Sequence, residues 1–197
     1  KGVCIGVTGT KGKTTTSTLI YEMIKQAGKS VCLIGNMGVP VLDSLESGST
    51  LAAVIEMSSH QLEYTTASPH VAVMTNIYPE HLDHYNGFEG YVGAKMNIIR
   101  HQVGCDYFIC NSEQDFDKFY NFSKALPSVI KVSKNGGKGD ELIIAAAAVK
   151  TAVEIQCTAD RGTVGQADKV ITSAARAKHG LAHGGGIDII LNDDRHA

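Results

Sequence analysis

The chain has 197 residues, 43% hydrophobic and 19% charged, so it can bury a core and is not a disordered or low-complexity polymer. A formal charge of −2 leaves no electrostatic footprint for nucleic acid or an anionic membrane surface. No apolar run approaches the roughly 18 residues of a membrane span, and five scattered cysteines without a Cys-x-x-Cys pair read as buried free thiols of a cytoplasmic protein.

Val3–Val7 reads as a buried strand that runs into the loop Gly9-Thr10-Lys11-Gly12 and then Lys13-Thr14-Thr15, which opens an amphipathic helix. Phosphate binding needs this pattern. Glycines let backbone N–H groups turn inward, the helix N-terminus adds partial positive charge, and Lys13 adds a full one. The Thr14 hydroxyl is then placed to ligate a magnesium ion held by the phosphates. Val7 stands where a strict Walker A has its first glycine, so the loop fits a shorter Gly-x-x-Gly-Lys-Thr pattern. An ordinary strand–turn–helix connection is the alternative.

The helix is predicted over Thr14–Gln26, with Leu19, Ile20, Met23 and Ile24 on one face and Gly28 as its stop. Val31–Ile34 is a second strand, ending at Gly35-Asn36-Met37-Gly38. Leu51–Ile55 is a third, ending at Glu56, and Val71–Met74 a fourth, ending at Thr75-Asn76. Phe88–Arg100 has a helical period, Tyr107–Cys110 is a fifth strand, and a weak helix lies near Asp115–Phe122. Lys131–Gly139 reads as a loop, Glu141–Ile155 as an alanine-rich helix and Thr158–Gln166 as another loop. Lys169–Thr172 and Ile187–Leu191 are candidate strands of a second unit, joined through Gly180–Gly186.

Short apolar strands alternating with helices predict an α/β fold, a mostly parallel sheet covered by helices on both faces, with a short partial α/β segment at the C-terminus. The polar residues just past each strand's C-terminal end mark the edge where such sheets bind ligands. The expected division is 1–157 for a nucleotide-binding domain and 158–197 for the partial segment. The abrupt first strand reads as a cut domain.

Glu56, at a strand end in the sheet that carries the phosphate loop, is placed to hold a nucleotide-bound magnesium; a solvated strand-end acid is the other reading. Asn76-Ile77-Tyr78-Pro79-Glu80-His81-Leu82-Asp83-His84 gathers acids and imidazoles after the fourth strand. His81 and His84 raise the question of zinc, but magnesium suits the phosphate loop better and no third ligand stands at zinc spacing.

These segments occur in one order: Gly9–Thr15, Gly35–Gly38, Glu56-Met57-Ser58-Ser59-His60-Gln61-Leu62, Asn76–Asp83, then Tyr91-Val92-Gly93-Ala94-Lys95. The set resembles the central ATP-binding domain of the Mur ligases, the peptidoglycan-precursor amide ligases, over roughly residues 2–112. Within the family the Ser58–Leu62 segment looks most like the members that add D-glutamate.

The resemblance implies that ATP phosphorylates the carboxylate of a UDP-N-acetylmuramoyl substrate and that an amino acid's amine then displaces phosphate. It implies Gly9, Thr10, Lys11, Gly12, Lys13, Thr14 and Thr15 around the nucleotide. Thr14, Glu56 and His81 would hold Mg²⁺, with Lys13, Glu56, His81 and Lys95 as the catalytic set. Lys95 matches a lysine carbamylated in the family, against the ordinary reading of a solvated helix lysine. Asn36, Ser58, Ser59 and Gln61 would touch the muramoyl substrate. The family's adenine-reading His-Asn-x-x-Asn is replaced here by Lys138-Gly139-Asp140-Glu141-Leu142. The chain alone is expected to be monomeric and to ligate nothing, as a fragment. Members adding the third stem-peptide residue, folylpolyglutamate or cyanophycin-type ligases, and a non-catalytic nucleotide-binding remnant are the competing readings.

Overall fold

The computed structural model describes residues 2–35, 52–119, 127–132 and 140–159. The strands are β1 (Val3–Thr8), β2 (Val31–Ile34), β3 (Ala52–Glu56), β4 (Val71–Met74), β5 (Tyr107–Asn111) and β6 (Ser128–Val132). The helices are α1 (Lys13–Gln26), α2 (Ser59–Glu63), α3 (Phe88–Arg100) and α4 (Asp140–Ala159), with a 3₁₀ turn at Phe116–Lys118. The six strands form one sheet in the order β2-β3-β1-β4-β5-β6, every pair parallel.

The alternation of side chains divides the core in two. Val3, Ile5 and Val7 of β1, Val54 of β3 and Val71 and Val73 of β4 pack with Ile20, Met23 and Ile24 of α1 and the alanines Ala145–Ala148 of α4. Ala72 and Met74 of β4 and Phe108 and Cys110 of β5 face the other way, onto Leu62 of α2 and Val92, Met96 and Ile99 of α3. Burial on both faces explains why these strands are nearly continuous apolar runs. The run of small residues on α4 lets that helix lie close against α1 and the sheet. Helix α1 ends in a Schellman motif: Gly28 takes φ 71° while its N–H reaches Lys25 and that of Lys29 reaches Ile24.

Four elements differ from the sequence reading. Lys131 and Val132, read as the start of a loop, close strand β6. The apolar pair Val129-Ile130 is short and Lys131 is exposed, as suits an edge strand. Residues 59–63, not assigned from the sequence, form the one-and-a-half-turn helix α2. Helix α4 also extends past its predicted end to include Thr158 and Ala159. The weak helix near Asp115 is only the short 3₁₀ turn among the described residues. Of the thiols, Cys110 is buried, Cys4 and Cys32 are half-buried, and Cys105 is exposed, against the expectation of burial. It lies in the turn before β5, where the chain has left the core. The Asn36 loop, the candidate strands near 170 and 190 and nearly all of segment 158–197 lie outside the described residues. Among the described residues no helix is long and apolar enough to cross a membrane.

Candidate functional site

The chain leaves β1 for α1 on one face of the sheet and leaves β3 and β4 for α2 and α3 on the other. The loops after these three neighbouring strands therefore flank a crevice at their carboxyl ends, the usual ligand position in open parallel sheets.

The Gly9–Gly12 loop is built for close backbone approach. Gly9 has φ 150° and Gly12 φ 81°. Gly12 caps α1 with no side-chain hydrogen bond, so the first N–H groups of the helix have no side-chain cap among the described residues. The end of β4 clamps the loop. Lys11 N–H donates to Asn76 Oδ1 at 2.8 Å while Asn76 Nδ2 donates back to the Lys11 carbonyl at 3.0 Å. Thr75 Oγ1 donates to the same carbonyl at 2.7 Å, and Thr10 N–H donates to the Asn76 carbonyl at 2.9 Å. Inside the loop, Lys13 Nζ donates to the carbonyls of Gly9 and Thr10, each at 3.0 Å.

Glu56 ends β3 only 6% exposed, and the Thr14 hydroxyl donates to its Oε1 at 3.2 Å. Among the described residues it has no ion-pair partner. Glu56 lies so close to Gly35 that a Cβ there would come within 2.7 Å of the Glu56 Cβ, so the end of β2 has room only for glycine beside the acid. A buried carboxylate beside a hydroxyl and lacking a counter-charge is costly by itself and fits a hard cation with oxygen ligands.

Lys95, on α3, is 2% exposed, which removes the solvated-lysine reading. Its Nζ donates to the Gly9 carbonyl at 2.8 Å, the oxygen that Lys13 also uses. Burial, then the nearby Lys13 charge, lowers its pKa to about 7, with Glu80 pulling the other way. The amine is thus substantially neutral near pH 7. The Tyr91 ring lies 4.9 Å from this Nζ, and burial raises the Tyr91 phenol, so it stays a donor.

His81 takes φ 54° and is half-exposed, its ring 5.5 Å from that of His60 and 6.2 Å from that of Tyr91. His84 lies 4.6 Å from His60 and pairs with Glu63 at 3.3 Å. Yet among the described residues no three His, Cys, Asp or Glu side chains assemble as a metal-ligand set. Of the predicted substrate contacts, Ser58 and Gln61 close a capping box at the start of α2, and Ser59 is buried. Ser58→Ala should cost about 1 kcal/mol of stability, read by urea unfolding, because the Gln61 N–H loses its acceptor. Thr15 is exposed on the first turn of α1.

Sequence reasoning assigned no role to Asn76 or Tyr91, although both stand inside the motifs it singled out. The signal available for Asn76 was its place two residues past the end of a strand.

A family model described as the Mur ligase middle domain matches residues 7–177. Over 113 residues the chain is 47% identical to a UDP-N-acetylmuramoylalanine--D-glutamate ligase of Acetivibrio thermocellus, covering 57% of this chain and 24% of that protein. The chain thus spans about a quarter of the length of the curated relatives it matches. Among solved structures it is similar to the MurF ligase of Thermotoga maritima in complex with ADP, with 25% identity, a TM-score of 0.53, and coverage of 70% of this chain and 34% of that one. FolC of E. coli in complex with DHPP and ADP has a TM-score of 0.58 at 13% identity, covering 87% of this chain and 57% of that one, a likeness of fold alone.

Proposed function

This chain belongs to the Mur ligase middle-domain family, and from that membership we propose that it is the ATP-handling part of a ligase that joins D-glutamate to a UDP-N-acetylmuramoyl substrate. Residues 1–157 are read as this domain and 158–197 as a portion of the next. The observation that carries the reading is the convergence of Lys13 and Lys95 on the Gly9 carbonyl, with the Thr14–Glu56 pair completing the set. Identity to relatives named D-glutamate ligases supports D-glutamate as the amino acid of this reading.

In this reading the loop N–H groups and Lys13 hold the phosphates of ATP. Thr14 and Glu56, with His81 turned inward from its half-exposed position, would hold Mg²⁺. The metal would supply charge neutralisation between the γ-phosphate and the substrate carboxylate. A carboxylate oxygen takes the γ-phosphoryl group and ADP leaves; the amino group then forms the C–N bond as phosphate departs and a proton is lost. Lys95, its amine substantially neutral near pH 7, would add to CO₂, forming an N–C bond and releasing a proton. The resulting carbamate would replace a cation with an anion, whose charge would steady a bound Mg²⁺. Asn36, Ser58, Ser59 and Gln61 are proposed muramoyl contacts, with the capping box holding the last three in order. ATP with Mg²⁺ is thus the nucleotide partner of this reading.

The test is ADP release by the full-length enzyme that carries this chain. UDP-N-acetylmuramoyl-L-alanine with D-glutamate is expected to support turnover. The dipeptidyl precursor with a diamino acid, and a folate with L-glutamate, are expected not to; turnover on either in place of the first overturns the assignment. In the same enzyme Lys13→Ala should weaken MgATP binding about 10- to 100-fold by calorimetry, since a charge-assisted phosphate contact is lost.

A further inference from the structure

Tyr91 is the largest fully buried side chain that the reaction scheme leaves without work. It lies on α3 one turn before Lys95, so the two share a face of the helix. Packing alone would be met by a phenylalanine or a leucine, yet a buried phenol needs a polar partner. That partner is Thr10 of the glycine-rich loop, 3.1 Å away.

The Thr10 hydroxyl sits among three partners. Thr10 Oγ1 accepts the Tyr78 N–H at 2.9 Å and lies 3.2 Å from the Tyr78 carbonyl as a donor. Toward Tyr91 either hydroxyl can supply the proton, because Glu80 also offers the phenol an acceptor. The hydroxyl of Thr10 is thereby held by the loop after β4 on one side and by α3 on the other. Meanwhile the Tyr91 ring lies against Lys95 Nζ at 4.9 Å, and Lys95 Nζ reaches back to the loop at Gly9. Two residues of α3 thus grip two successive residues of the loop, Gly9 and Thr10.

We propose that Tyr91 is a positioning residue that acts through Thr10, setting the phosphate loop against the helix that carries Lys95. The inference rests on the nucleotide-site reading above. Its consequence is specific: the phenolic oxygen contributes to nucleotide affinity without touching nucleotide.

The experiment uses the full-length enzyme carrying this chain, with MgADP titrated by calorimetry and MgATP varied in steady-state assays. Tyr91→Phe removes one oxygen and keeps the ring. It should raise the MgADP dissociation constant and the KM for ATP about fivefold, as for one lost buried hydrogen bond, with kcat within about twofold of the parent. Thr10→Val should weaken MgADP binding at least as much, and Tyr91→Phe added to it should have no further effect. Thr10→Ser, which keeps the hydroxyl, should retain most of the parent's MgADP affinity. A Tyr91→Phe enzyme that binds MgADP within twofold of the parent, or two substitutions whose effects add in full, overturns the proposal while leaving the nucleotide site standing. A parent enzyme that binds no MgADP overturns the site reading and this inference with it.

Discussion

Lys95→Met is expected to yield a better-folded protein that no longer ligates. The methionine keeps much of the volume and removes an amine that is 2% exposed, while the Gly9 carbonyl retains Lys13 as a donor. Burial first, and the Lys13 charge second, lower the Lys95 pKa from 10.5 to about 7. Between those two values the unfolded chain holds a proton that the native protein has released. The Lys95 contribution to stability therefore rises with pH across that window, and the cost of burying the ammonium is present in full below it. Unfolding midpoints in urea should favour Lys95→Met most at pH 6, with a smaller advantage at pH 9, where the parent amine is neutral. All other titrating groups are common to both proteins, so an advantage that does not change with pH would sink this account. Turnover of the full-length enzyme should fall about a thousandfold or more, the scale of several kcal/mol of charge stabilisation.

Gly9→Ala should be the most damaging change in the loop. At φ 150° an L-residue is strained. The added Cβ would also strike the Thr75 hydroxyl and sit 3.1 Å from both the N and O of Asn76. That wall is the clamped end of β4 and cannot retreat without releasing Lys11. A loss of roughly 2–4 kcal/mol is expected on unfolding, with nucleotide binding reduced at least a hundredfold. Gly28→Ala is the control. It too has positive φ, at 71°, but meets open space, so it should cost only about 1 kcal/mol and leave nucleotide affinity unchanged. Equal losses at the two glycines would mean that strain alone, rather than the Thr75 wall, sets the effect.

The first five strands were legible because their apolar runs are nearly uninterrupted and each gives way to a polar residue or a glycine. Val31–Ile34 and Val71–Met74 were predicted at their observed bounds. Strand β6 was obscured because its apolar run is two residues long and continues into a Lys/Gly-rich stretch. Helix α2 is too short for a periodicity, although Ser58 and Gln61 spell its capping box. Strand-end position marked Glu56, and the glycine-rich loop marked Thr14, but their direct hydrogen bond was not foreseen. The burial of Lys95 did not, since the local sequence of α3 reads equally well with a lysine in water. Tyr91 escaped notice for a related reason: its partner is 81 positions away, and no local pattern encodes a contact of that span.

The order of the sheet also dictates how this domain must assemble. Strand β1, first in the chain, lies between β3 and β4. Neither of its edges can be satisfied until about 50 further residues have been made for one side and about 65 for the other, as the Val3–Ala52 and Ile5–Val71 registers require. Such long closures slow folding and leave an apolar strand unpaired during synthesis, open to mispairing. The glycine-rich loop gains its clamp only when β4 docks, because Thr75 and Asn76 supply it. Nucleotide affinity should therefore appear late on the folding pathway, after both flanking strands have joined.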